Sequence, residues 1–225
     1  MFRMWLTVLW CFAAGIALAQ PTTQGVEPGA GAGQVHPDGK LRLDGETLIY
    51  NTETPGPDEM TGIVSDDIDR LLELLRGPDP ITTLQLNSAG GEVYAASQIS
   101  DIVIDFELDT HVHGDCDSSC VTIFLAGARR SMSRGSRIGF HQIFWSAENI
   151  ATYFDREAPG QGWQTPWDFA AWMYLDTQEE IYAHLTYIVS RGVDPRFAIE
   201  TLRTPQADMW RPYRAELLAA GVLTE

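Results

Sequence analysis

The chain has 225 residues, 44% of them hydrophobic, and a net charge of −16 at pH 7. That apolar content suffices for one domain with a substantial core. The acidity argues against nucleic acid and anionic membrane surfaces as partners and leaves the substrate unnamed.

The amino terminus reads MFRMWLTVLWCFAAGIALAQ, in which Arg3 supplies a positive flank, Met4 to Ile16 an apolar run and Ala17-Leu18-Ala19 a small-x-small cleavage site. The run is short for a membrane span, so residues 1–19 are expected to be a signal peptide cleaved after Ala19. The mature chain is then periplasmic or secreted. Cys11 leaves with the signal, because Trp10 is too bulky to precede a lipidated cysteine. Losing Arg3 and no acid takes the charge from −16 to −17. Residues 20–40 are rich in Gly and Pro without apolar periodicity and read as a flexible leader holding His36 and the chain's single lysine, Lys40.

The remainder, 41–225, reads as one domain. LRLDGETLIYNTE offers two strand-like runs around an Asp44-Gly45 turn. In SDDIDRLLELLRG, Ser65 is placed to cap a helix whose Ile68, Leu71, Leu72 and Leu75 share a face, with Gly77 at its end. ITTLQLN is a strand, and SAGGEVYAASQISDIVIDF enters a helix through glycines. THVHG is a strand, SSCVTIFLAG a helix, and SRIGFHQ a strand ending at His141. This alternation predicts an α/β fold with a mainly parallel sheet and flanking helices. A loop insertion is expected at about 143–166, carrying Phe144, Trp145, Tyr153, Phe154 and Trp163 as either a flap or self-packing aromatics. A long helix from Trp167 to about Ser190 follows, then a short one from Asp194-Pro195 and a last one in YRAELLAAGVL. Trp167, Trp172, Tyr174, Leu175 and Ile181 read as core or subunit contacts.

Acyl transfer by serine needs an exposed nucleophile, a histidine within hydrogen-bond reach and backbone N–H groups aimed at the developing oxyanion. Two strand-to-helix turns qualify, Ser88-Ala89-Gly90-Gly91 and Asp117-Ser118-Ser119, and in parallel sheets such turns meet at one edge. His141 arrives at that edge too. By chemistry alone, either Ser118 or Ser119 is a nucleophile, or the turn is capped by a hydroxyl. Cys116 and Cys120, four apart, suit a disulfide in an oxidising compartment. His111 and His113 with the same cysteines also raise zinc, but without regular motif spacing.

Taken in order, LQLNSAGGEVYAASQI, GDCDSSCVTIFLAGARR and SRIGFHQ resemble the proteolytic subunit of Clp protease and its secreted relatives, within the crotonase-like superfamily, over Leu41 to Phe144. The resemblance implies a ClpP/crotonase-like fold and a serine peptidase acting on peptides or unfolded chains, with no cofactor and no metal. It selects Ser118, four residues after Gly114 and nine before Gly127, as nucleophile. His141 becomes the general base, and the amides of Gly91 and Ser119 the oxyanion hole. PQADMWRPYRAELLAAGVL resembles the family's last segment and supplies Asp208 as the third catalytic residue, with Asp194 and Glu200 as alternatives. Signal-peptide peptidase A has a related fold and a lysine base, a role that Lys40 in the leader is poorly placed to fill. Asp115 and Asp117 depart from the family's small neutral residues at this turn. The expected readings of Asp117 are a helix cap, and of Asp115 a partner for Arg129, Arg130, Arg134 or Arg137. Ring-like self-assembly into a homo-oligomer is implied, and no docking motif for an ATP-driven partner is evident. The competing reading is a binding or scaffolding protein with a silent site.

Overall fold

A computed structural model of the chain describes residues 39–225. The expected signal peptide at 1–19, Cys11, His36 and the leader up to residue 38 lie outside the described residues. Two short strands, β1 (Leu41–Asp44) and β2 (Thr47–Asn51), pair antiparallel around Gly45, whose φ of 59° suits a tight turn. Then come α1 (Asp66–Leu75), β3 (Thr83–Ser88), α2 (Val93–Asp105), β4 (Asp109–Asp117), α3 (Cys120–Ala126), β5 (Arg130–Met132) and β6 (Arg137–Gly139). The sheet runs in the order β1-β2-β3-β4-β5, with β6 also on β4, and every pairing after the first is parallel. This is the α/β architecture the alternation predicts.

Alternate residues of β3 are buried, which places Leu84, Leu86 and Ser88 on one face. Leu48 and Tyr50 of β2 join them in a core with Ile99 and Val103 of α2 and Phe124 of α3. The long β4 serves two partners along one side. Thr110 to Val112 pair with β5, and Asp115 to Asp117 pair with β6. Opposite, the register to β3 slips, with Leu86 facing Val112 but Ser88 facing Cys116. The amide side chain of Asn87 fills the gap. Its Oδ1 accepts from Asp115 N at 2.9 Å, and a Cβ on Gly114 (φ 116°) would lie 2.1 Å from that oxygen. Gly114 therefore admits the bulge that carries β4 on to the Ser118 turn.

Residues 130–132, given no element by the sequence pattern, form β5, too short to show a period. Two expectations are corrected. The stretch 143–166 is not a loop, because α4 (Ala147–Gln161) occupies it, capped by Ser146 Oγ accepting from Asn149 N at 3.0 Å and closed by Gly162 at φ 73°. Pro159 and Gly160 in its last turn disguise it. Tyr153, Trp163, Phe169 and Trp172 cluster between α4 and α5 (Pro166–Ser190), with ring centroids 4.9–6.4 Å apart. Of the residues expected as core or subunit contacts, Trp167, Tyr174 and Leu175 are exposed, which leaves them the second reading. The chain ends in α6 (Pro195–Glu200) and α7 (Arg214–Ala219).

The second correction is Lys40, which is 1% exposed and so belongs to the folded domain, not to a flexible leader. Its Nζ donates to both oxygens of Asp67 at 3.0 and 2.9 Å and to Gly62 O at 2.8 Å. Tyr50 Oη and Val64 N donate to the same carboxylate at 2.6 and 3.0 Å. Burial, together with the nearby Asp67 charge, raises the Tyr50 phenol above its ordinary value and keeps it a neutral donor. Removing one partner of such a pair strands the other, so Lys40→Ala is expected to cost about 3–5 kcal/mol in urea unfolding. A loss below about 1 kcal/mol contradicts this account.

Candidate active site

β4 ends at Asp117 and α3 begins at Cys120, so the chain reverses over two residues. Ser118 makes the turn at φ 56°. Among the described residues, Glu107 is the other non-glycine with positive φ. A β-carbon is strained in that region, and such strain persists where surroundings impose it. Here Ser118 N donates to Gly139 O at 3.0 Å, and Ser118 O accepts from Val121 N at 3.0 Å. The Cys116–Cys120 disulfide spans the turn with a Cα–Cα distance of 5.3 Å. Arg191 secures the far end of α3, donating to Leu125 O at 3.0 Å and Ala126 O at 2.8 Å.

The Ser88–Gly91 turn lies against this one. A Cβ on Gly90 (φ 102°) would stand 2.9 Å from Ser118 Cβ and 3.0 Å from Asp117 O, and one on Gly91 would stand 2.3 Å from Ile63 O. Side-chain volume is excluded at both positions. Ile63 N donates to Gly90 O at 2.9 Å and Glu92 N to Ile63 O at 2.8 Å, which fastens the turn to the segment that Lys40 holds through Gly62. The Gly91 amide is engaged. It donates to Ser119 Oγ at 2.8 Å, and that hydroxyl is 3.2 Å from Gly91 O.

His141 follows β6. Phe140 exchanges two backbone bonds with Trp210, at 2.9 and 3.0 Å, and Gln142 N donates to Thr204 O at 2.9 Å. The backbone on either side of His141 is thus anchored. The ring Nδ1 is 2.7 Å from Gln142 O. A carbonyl only accepts, so Nδ1 is the donor, and in the neutral ring the lone pair is on Nε2.

Gly91, Ser118, Ser119 and His141 line one cavity of about 110 Å³, walled by apolar groups that include Leu125, Phe140, Phe144 and Ile188. An apolar cavity of about 150 Å³ admits benzene, so this space is on the scale of one side chain. Among the described residues no hydrogen bond joins Ser118 to His141. Asp208 is exposed, and its Oδ1 accepts from Met209 N at 2.8 Å with no bond to His141. Asp194 caps α6, accepting from Arg196 N and Phe197 N, and Glu200 pairs with Arg203. His111 bonds Ser131 and Ser133, and His113 bonds Ser133. With both cysteines oxidised, the thiolates of a zinc set are absent.

The acidic flank is neutralised residue by residue. Asp115 pairs with Arg137, whose hydrogen bond holds the carboxyl below its ordinary value. Asp117 does not cap α3. Its Oδ2 accepts from Arg211 at 2.5 Å, while Oδ1 is buried without a described partner beside Gly139. Burial raises the Asp117 carboxyl above its ordinary value, and Arg211 opposes that shift. Sequence reasoning missed Arg211, 94 positions away, and His184, a second imidazole on the cavity wall that burial lowers toward the neutral form. Neither lies in a motif, and no local spacing announces them.

Because the folded-state value of Asp117 is raised, its proton is held more tightly in the folded chain than in the unfolded one. The stability it contributes is present below the ordinary carboxylate range and is lost as pH rises through the raised value. Arg211 limits that loss. Arg211→Gln is therefore expected to cost about 2 kcal/mol at pH 7, less than for a fully buried pair because Arg211 is a third exposed, and under about 1 kcal/mol at pH 4. Urea unfolding at both pH values checks this, and equal losses contradict it.

No protein-family model matches the chain, and no curated protein matches it. Among solved structures, a mutant ClpP1 from Listeria monocytogenes is similar at 20% identity, with 73% of this chain and 85% of that chain covered and a TM-score of 0.49.

Proposed function

We propose that the cavity is a serine-hydrolase site in which Ser118 is the nucleophile and His141 the general base. The carrying observation is that a strained, half-buried serine shares one small cavity with an imidazole whose Nδ1 proton is committed to Gln142 O. Nε2 is thereby the basic nitrogen. In the reaction, Ser118 Oγ bonds to the substrate carbonyl carbon and its proton passes to His141 Nε2. That proton then goes to the leaving amine as the C–N bond breaks. Water, deprotonated by the same nitrogen, attacks the acyl-enzyme, and that nitrogen returns the proton to Ser118 Oγ as the Oγ–acyl bond breaks and the acid leaves. The amide of Ser119, with that of Gly91, faces the carbonyl oxygen. The substrate class is peptides or unfolded chains, and the apolar wall favours an apolar side chain beside the scissile bond.

Asp208 is the carboxylate the family pattern assigns to the imidazole. Its bond to Met209 N and the Gln142 carbonyl on Nδ1 favour a working Ser118–His141 pair with a backbone orienter. The disulfide is compatible with an oxidising compartment and supports a periplasmic or secreted location. Exposed Trp167, Tyr174, Leu175 and Tyr182 on α5 support a homo-oligomer, which light scattering tests by a mass above the monomer's. The rival reading, a silent binding protein, draws on the missing Ser118–His141 bond and the occupied Gly91 amide.

A fluorophosphonate probe separates the two. Ser118 Oγ bonds to phosphorus, fluoride leaves, and the proton goes to His141. Labelling is expected to vanish in Ser118→Ala, to fall about 10²-fold or more in His141→Ala, and to fall less than about tenfold in Asp208→Asn. Wild-type protein unlabelled between about pH 6 and 9 favours the silent reading. A loss near 10⁴ in Asp208→Asn restores the carboxylate to the mechanism.

A further inference from the structure

We infer that the Ser119 hydroxyl is a built-in occupant of the oxyanion position, which must rotate off the Gly91 amide before a substrate carbonyl can bind there. This rests on the Ser118–His141 reading and adds to it a residue that sets the rate without touching the reacting atoms through its side chain.

Oxyanion donors work when two N–H groups stand 2.7–3.1 Å from the oxygen that gains charge. The Ser119 N–H heads α3 and has no backbone acceptor among the described residues. The Gly91 N–H already has one, Ser119 Oγ, at 2.8 Å, the separation an oxyanion would take. A well-aligned N–H serves one acceptor, so hydroxyl and oxyanion compete for it. Neighbouring amides offer no substitute. Ala89 N is bound to Glu53 Oε1, Gly90 N to Ser88 Oγ, Glu92 N to Ile63 O and Ser118 N to Gly139 O.

The hydroxyl, not the backbone, is the part free to move. Gly91 is wedged against Ile63 and fastened by bonds on both sides. Ser119 sits at φ −60° and ψ −20°, an ordinary helical conformation, and its side chain makes no capping bond to α3. Rotation about its Cα–Cβ bond releases the Gly91 N–H and also breaks the longer bond that the hydroxyl donates to Gly91 O at 3.2 Å. Without the hydroxyl, water meets that amide and a substrate displaces it readily. The oxyanion replaces the hydroxyl at the Gly91 N–H, so the bond to Gly91 O is the net loss, and removing the hydroxyl is worth roughly two- to tenfold in rate.

The test is the kinetics of fluorophosphonate labelling on full-length wild-type protein, Ser119→Ala and Ser119→Gly. The expected result is a maximal labelling rate two- to tenfold higher in both variants at an unchanged half-saturating probe concentration, a split that general loosening of the turn does not produce. Unchanged rates overturn the inference, and slower rates show instead that the hydroxyl donates to the oxyanion. If neither wild type nor variant labels, the hydrolase reading fails and the inference with it; equal labelling of all three removes the inference alone. A crystal structure of phosphonylated wild-type protein is independent of how the variants fold. Ser119 is expected in a different rotamer there, and an unmoved hydroxyl overturns the inference.

Discussion

Gly90 and Ser118 approach so closely that a single added carbon at residue 90 would stand 2.9 Å from Ser118 Cβ. Everything that builds the cavity serves that approach. β3 and β4 end side by side because they pair in parallel, and the bulge at Gly114 sets how far β4 overshoots. The strained φ of Ser118 is sustained by partners on three sides: Gly139 from β6, Val121 from α3, and the disulfide across the bend. A bridge closing so short a loop contributes about 2 kcal/mol by restricting the unfolded chain, of the same order as a single strained residue costs.

Negative charge is managed within the same few residues. A site with the proposed role, stabilising an oxyanion, tolerates carboxylates nearby only if their charge is taken up elsewhere. Asp115 gives its charge to Arg137 at the surface, where water screens whatever is left. Asp117 is buried, and among the described residues its partner, Arg211, comes from the segment that also flanks His141. The carboxylate beside Ser118 and the backbone on either side of His141 therefore depend on one stretch of chain, residues 204–211. Disturbing that stretch disturbs both.

Periodicity made the sheet and its covering helices legible, because Leu84 and Leu86 alternate and Ile68, Leu71 and Leu75 recur at helical spacing. The disulfide was readable from two cysteines four apart. What escaped were features decided by where side chains point after folding. Lys40 follows a Gly/Pro-rich tract and finds Asp67 only once β1, β2 and α1 are assembled. Ser119 is expected to contribute its amide, and no local spacing shows that its hydroxyl turns to Gly91, 28 positions away. The spacing that singled out Asp208 says nothing of its orientation, and in the fold it bonds its own neighbour's amide. In α4, a proline and a glycine near the end concealed a helix whose cap and aromatic contacts are otherwise ordinary.

The burial of Lys40 reaches beyond packing. It is the chain's one lysine, so the folded domain offers amine-directed reagents no accessible ε-amine. Acylation of that nitrogen requires β1 to part from α1, breaking the contacts that hold the 62–64 segment under the glycine turn. The rate at which Lys40 is modified thus counts openings of the scaffold beneath the cavity, a clock for local unfolding carried by the natural sequence.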